Sequence, residues 1–112
     1  VAITDHGAMF GVKEFHKAMK SKGIKPILGM EAYVAYRTLD KKERPDQKRY
    51  HLVLLVKNKV GYKNLMKLAS IAYQQGYYYK PRIDKEVLKK HSEGLIGLSA
   101  CLAGEVPNKI ME

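Results

Sequence analysis

The sequence predicts an α/β domain in which parallel strands feed crossover helices. Short apolar runs, bounded by Gly, Pro or charged residues, alternate with segments whose apolar residues recur at helical spacing. A hydrophobic content of 46%, with 9 Gly and 4 Pro, is typical of a globular chain. No internal repeat, linker or low-complexity stretch divides residues 1–112, so we interpret them as one domain piece without a second domain.

The chain opens with a strand-turn-helix unit. We interpret residues 1–3 as the tail of a first strand and residues 4–7, Thr-Asp-His-Gly, as the turn after it. A helix is predicted from Phe10 to about Lys22, with Gly23 as its C-terminal stop. Its apolar positions are Phe10, Phe15, Ala18 and Met19. Because the chain begins inside an element, with Val1 in place of an initiator Met, we interpret it as an internal piece of a longer protein.

Two further strands are predicted before the middle of the chain. Residues 26–34 form an apolar run that the acidic Glu31 interrupts, and residues 37–49 read as a charged loop. Residues 51–56, His-Leu-Val-Leu-Leu-Val, make the most strongly apolar run, which predicts a buried central strand. The carboxylate of Glu31 would then lie inside a sheet.

The second half continues the same alternation. A helix is predicted over residues 60–73 with a basic outer face of Lys59, Lys63 and Lys67. A tyrosine-rich loop, residues 75–82, precedes a short helix whose N-cap is Asp84. Residues 94–98 form the last predicted strand, and residues 99–105 a loop beyond it. The apolar face predicted for the long helix consists of Tyr62, Leu65, Met66, Ala69 and Tyr73.

Charge and cysteine content limit the function classes. The formal net charge of +10 is compatible with a phosphate backbone as partner, but the lysines are dispersed, which is also typical of a solvated surface. The single cysteine excludes an internal disulfide framework. No apolar run approaches the roughly 20 residues that a membrane span needs, and no signal peptide is visible. We therefore expect a cytoplasmic protein without a membrane partner.

Four dispersed residues are candidate metal ligands. His6 follows a strand, with Asp5 beside it as a supporting carboxylate. Glu31 interrupts an apolar strand and, if buried, must be paired, protonated or metal-bound, although a half-exposed strand would leave it in solvent. His51 heads the strongest strand, and Cys101 follows the last one. Each residue could instead have a purely structural role, either as a hydrogen-bonded polar group or, for Cys101, as a small buried thiol.

Two other constellations remain open from the residues alone. Cys101 with His51 or His6 could form a nucleophilic pair if they meet in space. The run Tyr77-Tyr78-Tyr79-Lys80 beside Arg82 could stack bases, or could pack its loop against the domain.

Several strings, taken in order, resemble the PHP (polymerase and histidinol phosphatase) domain of bacterial DNA polymerase III alpha subunits. The strings are Ala2–Gly7 (AITDHG), Gly23–Glu31 (GIKPILGME), Tyr50–Leu55 (YHLVLL), Gly61–Met66 (GYKNLM) and Gly94–Glu105 (GLIGLSACLAGE). Each is weak alone, but the ordered set spans nearly the whole chain. Cysteine at position 101 is typical of the polymerase branch of the family.

The resemblance implies part of a distorted (β/α)7 barrel, incomplete in this chain, with zinc or manganese ions at the C-terminal ends of its strands. It implies that His6, Glu31, His51 and Cys101 are metal ligands and Asp5 a supporting neighbour. The family's His-x-His pair would precede Val1 and its late Asp-x-His pair would follow Glu112, so the resemblance implies a partial ligand set that holds metal weakly.

The resemblance also implies a parent enzyme, a replicative DNA-directed DNA polymerase (a nucleotidyltransferase) that uses magnesium and whose catalytic carboxylates lie outside this chain. Its partners would be DNA and the other subunits of the polymerase holoenzyme. The PHP site would support phosphoester hydrolysis, including a 3′–5′ exonuclease activity in proofreading, or else be a non-catalytic structural and interaction module. The piece alone is expected to be catalytically inactive and to oligomerise through exposed strand edges.

Overall fold

The computed structural model describes residues 1–111 as a mixed α/β fold with one sheet and four α-helices. The strands are β1 (Ala2–His6), β2 (Ile27–Ala35), β3 (Arg49–Val56), β4 (Arg82–Ile83) and β5 (Leu95–Leu98). The helices are α1 (Val12–Ser21), α2 (Lys59–Gln74), α3 (Lys85–Lys90) and α4 (Glu105–Met111), and a 3-10 helix spans Arg44–Gln47.

The sheet has the strand order β1-β2-β3-β5, and β4 pairs with the second half of β2. β1 and β4 run parallel to β2, whereas β3 runs antiparallel to both β2 and β5. The expectation of a parallel sheet was therefore wrong for β3. The physical reason is the connection, because residues 36–48 contain only a single 3-10 turn, whereas the crossover of a parallel return is usually an α-helix.

The core lies between one face of the sheet and α2. Side chains alternate between the two faces of a strand, so Met30, Ala32 and Val34 share the face that α2 covers. Leu65 and Leu68 of α2 are fully buried against them. The buried core cluster is Met30, Ala32, Val34, Tyr50, Leu54, Leu65, Leu68, Ala72 and Ile83.

The long helix was predicted correctly in extent but not in its buried face. Its buried residues are Gly61, Leu65, Leu68 and Ala72, while Met66 and Tyr73 are 40% and 42% exposed. Asn58 caps the helix, since its side chain accepts a hydrogen bond from the backbone N–H of Gly61 at 3.0 Å. The basic outer face is as predicted.

Other boundaries also differ from the prediction. β1 continues to His6, so residues 4–6 belong to a strand and not to a turn. Phe10 lies outside α1 and is 83% exposed. The predicted loop of residues 99–105 ends where α4 begins, at Glu105. Asp84 does cap α3, because its Oδ1 accepts a hydrogen bond from the backbone N–H of Val87 at 2.8 Å.

Arg82 is the fully buried hub that joins the loops at one end of the sheet. Its guanidinium donates to the backbone carbonyls of Gly76 at 2.8 Å and Leu39 at 3.2 Å, with longer bonds to those of Asp46 and Lys41, both at 3.4 Å. Burial lowers the pKa of the guanidinium. Because the Arg82 side chain is buried and hydrogen-bonded within the fold, it cannot contribute to a base-stacking surface formed by the tyrosine-rich loop.

Across residues 1–111, none of the helices is long and apolar enough to cross a membrane.

Candidate metal centre

Glu31 and His51 form the centre of the site. Oε1 of Glu31 lies 2.8 Å from Nδ1 of His51, and the two side chains are 15% and 24% exposed. Glu31 is therefore a largely buried carboxylate with an imidazole partner, and the half-exposed alternative is excluded. Burying a carboxylate in this way requires a partner that compensates its charge.

The antiparallel direction of β3 brings His51 to the site. Glu31 is paired with Val53 and Tyr33 with His51, so Glu31 and His51 are diagonal neighbours on the same face. His51 lies near the start of β3. Because β3 runs opposite to β2, it begins at the end of the sheet where β2 finishes. In a fully parallel sheet, a residue at the start of a strand would lie far from the ends of the other strands. The antiparallel direction of β3 explains why His51 nevertheless reaches the site.

Cys101 reaches the same point from the loop after β5. Its Sγ lies 3.6 Å from Nδ1 of His51 and accepts a hydrogen bond from the backbone N–H of Ala103 at 3.4 Å. The backbone N–H of His51 donates to the carbonyl of Ala103 at 3.0 Å, which fixes the loop against β3. Ligand atoms of Glu31, His51 and Cys101 all lie within 4.8 Å of one another.

His6 lies at the rim of this cluster. Its Nδ1 is 3.3 Å from Oε1 of Glu31, but its side chain is 72% exposed. β1 ends at His6, directly opposite Glu31 in the parallel register, which explains the approach. Three of the four predicted ligands thus form a compact group, and the fourth touches one of its members.

Asp5 lies on the other side of the sheet. It precedes His6 on β1, and successive side chains of a strand alternate between faces. Its Oδ2 accepts a hydrogen bond from the backbone N–H of Gly11 at 3.1 Å, at the start of α1. The proposed role of Asp5 as a supporting neighbour of the ligands stays a prediction.

The donor set fits a borderline-soft divalent cation. Imidazole nitrogen, carboxylate oxygen and thiolate sulfur are the three ligand types that zinc takes in proteins. The backbone N–H of Ala103 already points at the sulfur, as hydrogen-bond donors to ligating thiolates do. The residues present therefore fit a metal ion better than they fit a Cys-His nucleophilic pair, because the nearest partner of His51 is the Glu31 carboxylate and not the thiol.

Two contributors to the site were not found by sequence reasoning. The ring of Tyr33 packs edge-on against the His51 imidazole, with centroids 5.2 Å apart, and so restricts its orientation. Gly104 forms a bridge to His51, and a Cβ there would lie 2.0 Å from the carbonyl oxygen of Ser99. The glycine in the Ala-Gly-Glu string after Cys101 was a visible signal of such a close backbone approach.

The fold and the site define a class: an α/β domain that gathers carboxylate, imidazole and thiol groups on one face of its sheet. The PHP domain family model matches residues 1–112, and the chain belongs to this family.

Three of the similar proteins are each named DNA polymerase III subunit alpha. The protein of Borreliella burgdorferi is 53% identical over 99% of this chain, that of Helicobacter pylori strain 26695 is 53% identical over 95%, and that of Thermus aquaticus is 49% identical over 100%. The matched regions make up 10%, 9% and 9% of these relatives. The chain thus spans about a tenth of the length of the curated relatives that it matches.

Proposed function

We propose that this PHP domain holds a divalent metal ion, zinc or manganese, through Glu31, His51 and Cys101 with His6 at the rim, and that the site serves phosphoester hydrolysis. The observation that carries the proposal is the convergence of three different ligand types within 4.8 Å. In the complete domain we propose a 3′–5′ exonuclease activity with a role in proofreading.

The residues of the chain have separable tasks in this proposal. A bound metal supplies Lewis acidity toward a phosphate oxygen and lowers the pKa of a water molecule. Glu31 provides the negative charge that holds the cation, while Tyr33 and the Ala103 carbonyl fix the ring and backbone of His51. The Ala103 N–H donates a hydrogen bond to the sulfur of Cys101 and so fixes its position. His6, being exposed, is free to move toward an incoming ion or phosphate.

The activity of the whole protein is also a proposal, because the chain covers only about a tenth of its relatives. We propose that the parent is a DNA-directed DNA polymerase that uses magnesium at carboxylates outside this chain. Its partners would be DNA and the other holoenzyme subunits, and its location the cytoplasm. Identities of 53% and 49% over 99% and 100% of the chain support this assignment.

A second candidate function is a non-catalytic structural and interaction module of the polymerase. The open edges of the described sheet, at β1 and β5, favour contacts with further chain or with a second copy. In that case the metal would stabilise the fold without supporting hydrolysis.

Elemental analysis combined with an exonuclease assay distinguishes the two functions. The complete domain should contain stoichiometric metal and release nucleotides from a 3′ end, and Cys101→Ser and Glu31→Gln should lower both. Stoichiometric metal without nuclease activity would instead support the structural module. The 112 residues alone should be inactive, since a partial ligand set binds metal weakly, and robust manganese-dependent hydrolysis by them would refute that expectation.

A further inference from the structure

The outward face of α2 carries an isolated row of positive charge. Lys59, Lys63 and Lys67 are exposed and recur every four residues, which places them along one line of the helix. Within residues 1–111 none of the three forms an ion pair with a carboxylate. Residues 47–83 contain eight Lys and Arg but no Asp or Glu, so no acidic residue in this stretch offsets the row.

Exposed aromatic rings lie at the far end of the same helix. Tyr73 is 42% exposed, Tyr77 is 51% exposed and Phe10 is 83% exposed. The Tyr73 ring centroid is 6.4 Å from that of Phe10 and 6.1 Å from that of Tyr77, with tilts of 44° and 34°. Three adjoining rings that leave much of their surface in solvent form a cluster that the core does not use.

The lysines and the aromatic rings belong to one continuous surface. Met66 and Ser70 line a shallow groove with Lys63 and Lys67, and the same two residues line a second groove with Phe10 and Tyr73. From Lys59 to Tyr73 the helix rises about 21 Å at 1.5 Å per residue. We call this surface the α2 platform, and it is formed by Phe10, Lys59, Lys63, Met66, Lys67, Tyr73 and Tyr77.

We propose that the α2 platform binds single-stranded nucleic acid. A row of lysines that tracks a phosphate backbone, next to aromatic faces on which bases stack, is the combination that binds single strands without sequence preference. Charge complementarity favours this occupant over an apolar protein segment, because an apolar segment would leave three lysines without anionic partners. The length of the α2 platform suits a stretch of a few nucleotides.

The platform is separate from the metal centre. α2 packs on the sheet face that carries Met30 and Leu54, whereas Glu31 and His51 lie on the opposite face. The proposal therefore does not rest on the proposed metal chemistry. Binding measured in the presence of a chelator would test the platform alone.

The lysine row is tested by fluorescence anisotropy of a labelled oligothymidylate, titrated with the full chain in EDTA at several salt concentrations. The variant Lys59→Gln/Lys63→Gln/Lys67→Gln should weaken binding and reduce the log-log salt slope by about 2, since single strands contribute about 0.7 per phosphate contact. The matched control is Lys41→Gln/Lys42→Gln/Lys48→Gln, which removes the same charge from exposed loop positions. It should change the slope much less. Equal effects of the two triple variants would overturn the proposal, because binding would then follow net charge alone.

The aromatic cluster is tested by Tyr73→Leu/Tyr77→Leu, which keeps apolar bulk but removes two stacking faces. We expect about tenfold weaker binding and less quenching of tyrosine fluorescence by the oligonucleotide, an emission that can be read because the chain has no Trp. Tyr79→Leu, at another exposed tyrosine, is the control and should bind as the wild type does.

Circular dichroism checks that each variant folds, and the single changes Lys63→Gln and Tyr73→Leu replace any multiple variant that does not. Wild-type affinity in the tyrosine variants would overturn the proposal, because the exposed rings would then not stack bases. Absence of oligonucleotide binding by the wild-type chain at low salt would overturn it as well.

Discussion

Oε1 of Glu31 lies 2.8 Å from Nδ1 of His51 across two antiparallel strands, and the same oxygen lies 3.3 Å from Nδ1 of His6 on a parallel strand. One carboxylate oxygen thus stands between two imidazoles, with the sulfur of Cys101 3.6 Å from the His51 nitrogen. The mixed direction of the strands makes this possible, because β1 ends opposite Glu31, whereas β3 starts opposite the end of β2 and places His51 opposite Tyr33, two residues from Glu31.

Removal of single ligands should affect zinc affinity unequally. His51→Ala should lower it by more than about 100-fold, since even residues that only support a ligand typically contribute 10–100-fold. His6→Ala should cost less, because the His6 side chain is 72% exposed and its Nδ1 lies 3.3 Å from Glu31 at the rim of the cluster. Competition with a chromophoric chelator measures the zinc affinity of both variants in the complete domain. His16→Ala, at an exposed histidine of α1, is the control and should keep wild-type affinity. A larger loss in His6→Ala than in His51→Ala would contradict the assigned centre.

Arg82→Met should destabilise the fold by about 3 kcal/mol or more, because four backbone carbonyls would lose a buried donor. Urea unfolding measures the change. Arg44→Met makes the same substitution at an exposed site and should leave the free energy of unfolding within about 0.5 kcal/mol of the wild type. Similar losses in the two variants would show that the hub of hydrogen bonds contributes little.

Much of the order of elements could be predicted from the sequence, because apolar runs and helical spacing are local signals. The direction of β3 could not be read from its own residues, since a buried strand looks the same in either orientation. The charged segment of residues 37–49 did indicate an antiparallel return, because it lacks a helix long enough for a crossover.

The candidate site was predictable as a set of residues but not as a geometry. Glu31 stood out because a carboxylate interrupts an apolar strand, and Cys101 because of the string around it. The exposure of His6 and the opposite orientation of Asp5 depend on where β1 ends and on strand alternation. The buried role of Arg82 was hidden because its four partners are backbone carbonyls, which carry no sequence signal.

Gly61→Ala should destabilise the fold by about 2 kcal/mol, because the added Cβ would lie 1.9 Å from the carbonyl oxygen of Gly94. This contact sets the distance between the first turn of α2 and the start of β5. Gly97→Ala is the matched control, since a Cβ there meets no atom within 4 Å. Thermal unfolding compares the two, and an equal drop in Tm would refute the importance of the close glycine contact.

The free energy of unfolding should fall in acid as the Asp46 carboxyl becomes protonated. Hydrogen bonds from Arg37 hold the pKa of the buried Asp46 carboxyl at about 2, below its ordinary value of 3.8. The carboxyl therefore stabilises the folded state fully above about pH 5, and this contribution is lost progressively as the pH falls through 3.8 toward about 2. The difference in unfolding free energy between wild type and Asp46→Asn should narrow over this interval in urea titrations. A constant difference from pH 6 to pH 2 would mean that the Arg37 contact does not act through charge.

We propose above that Glu31, His51 and Cys101 together hold one metal ion. X-ray absorption spectroscopy of the zinc-loaded complete domain tests it most directly. We predict one sulfur scatterer at about 2.3 Å together with nitrogen and oxygen scatterers near 2.0–2.1 Å, and loss of the sulfur shell alone in Cys101→Ser. A spectrum with only nitrogen and oxygen scatterers, unchanged by Cys101→Ser, would contradict the site.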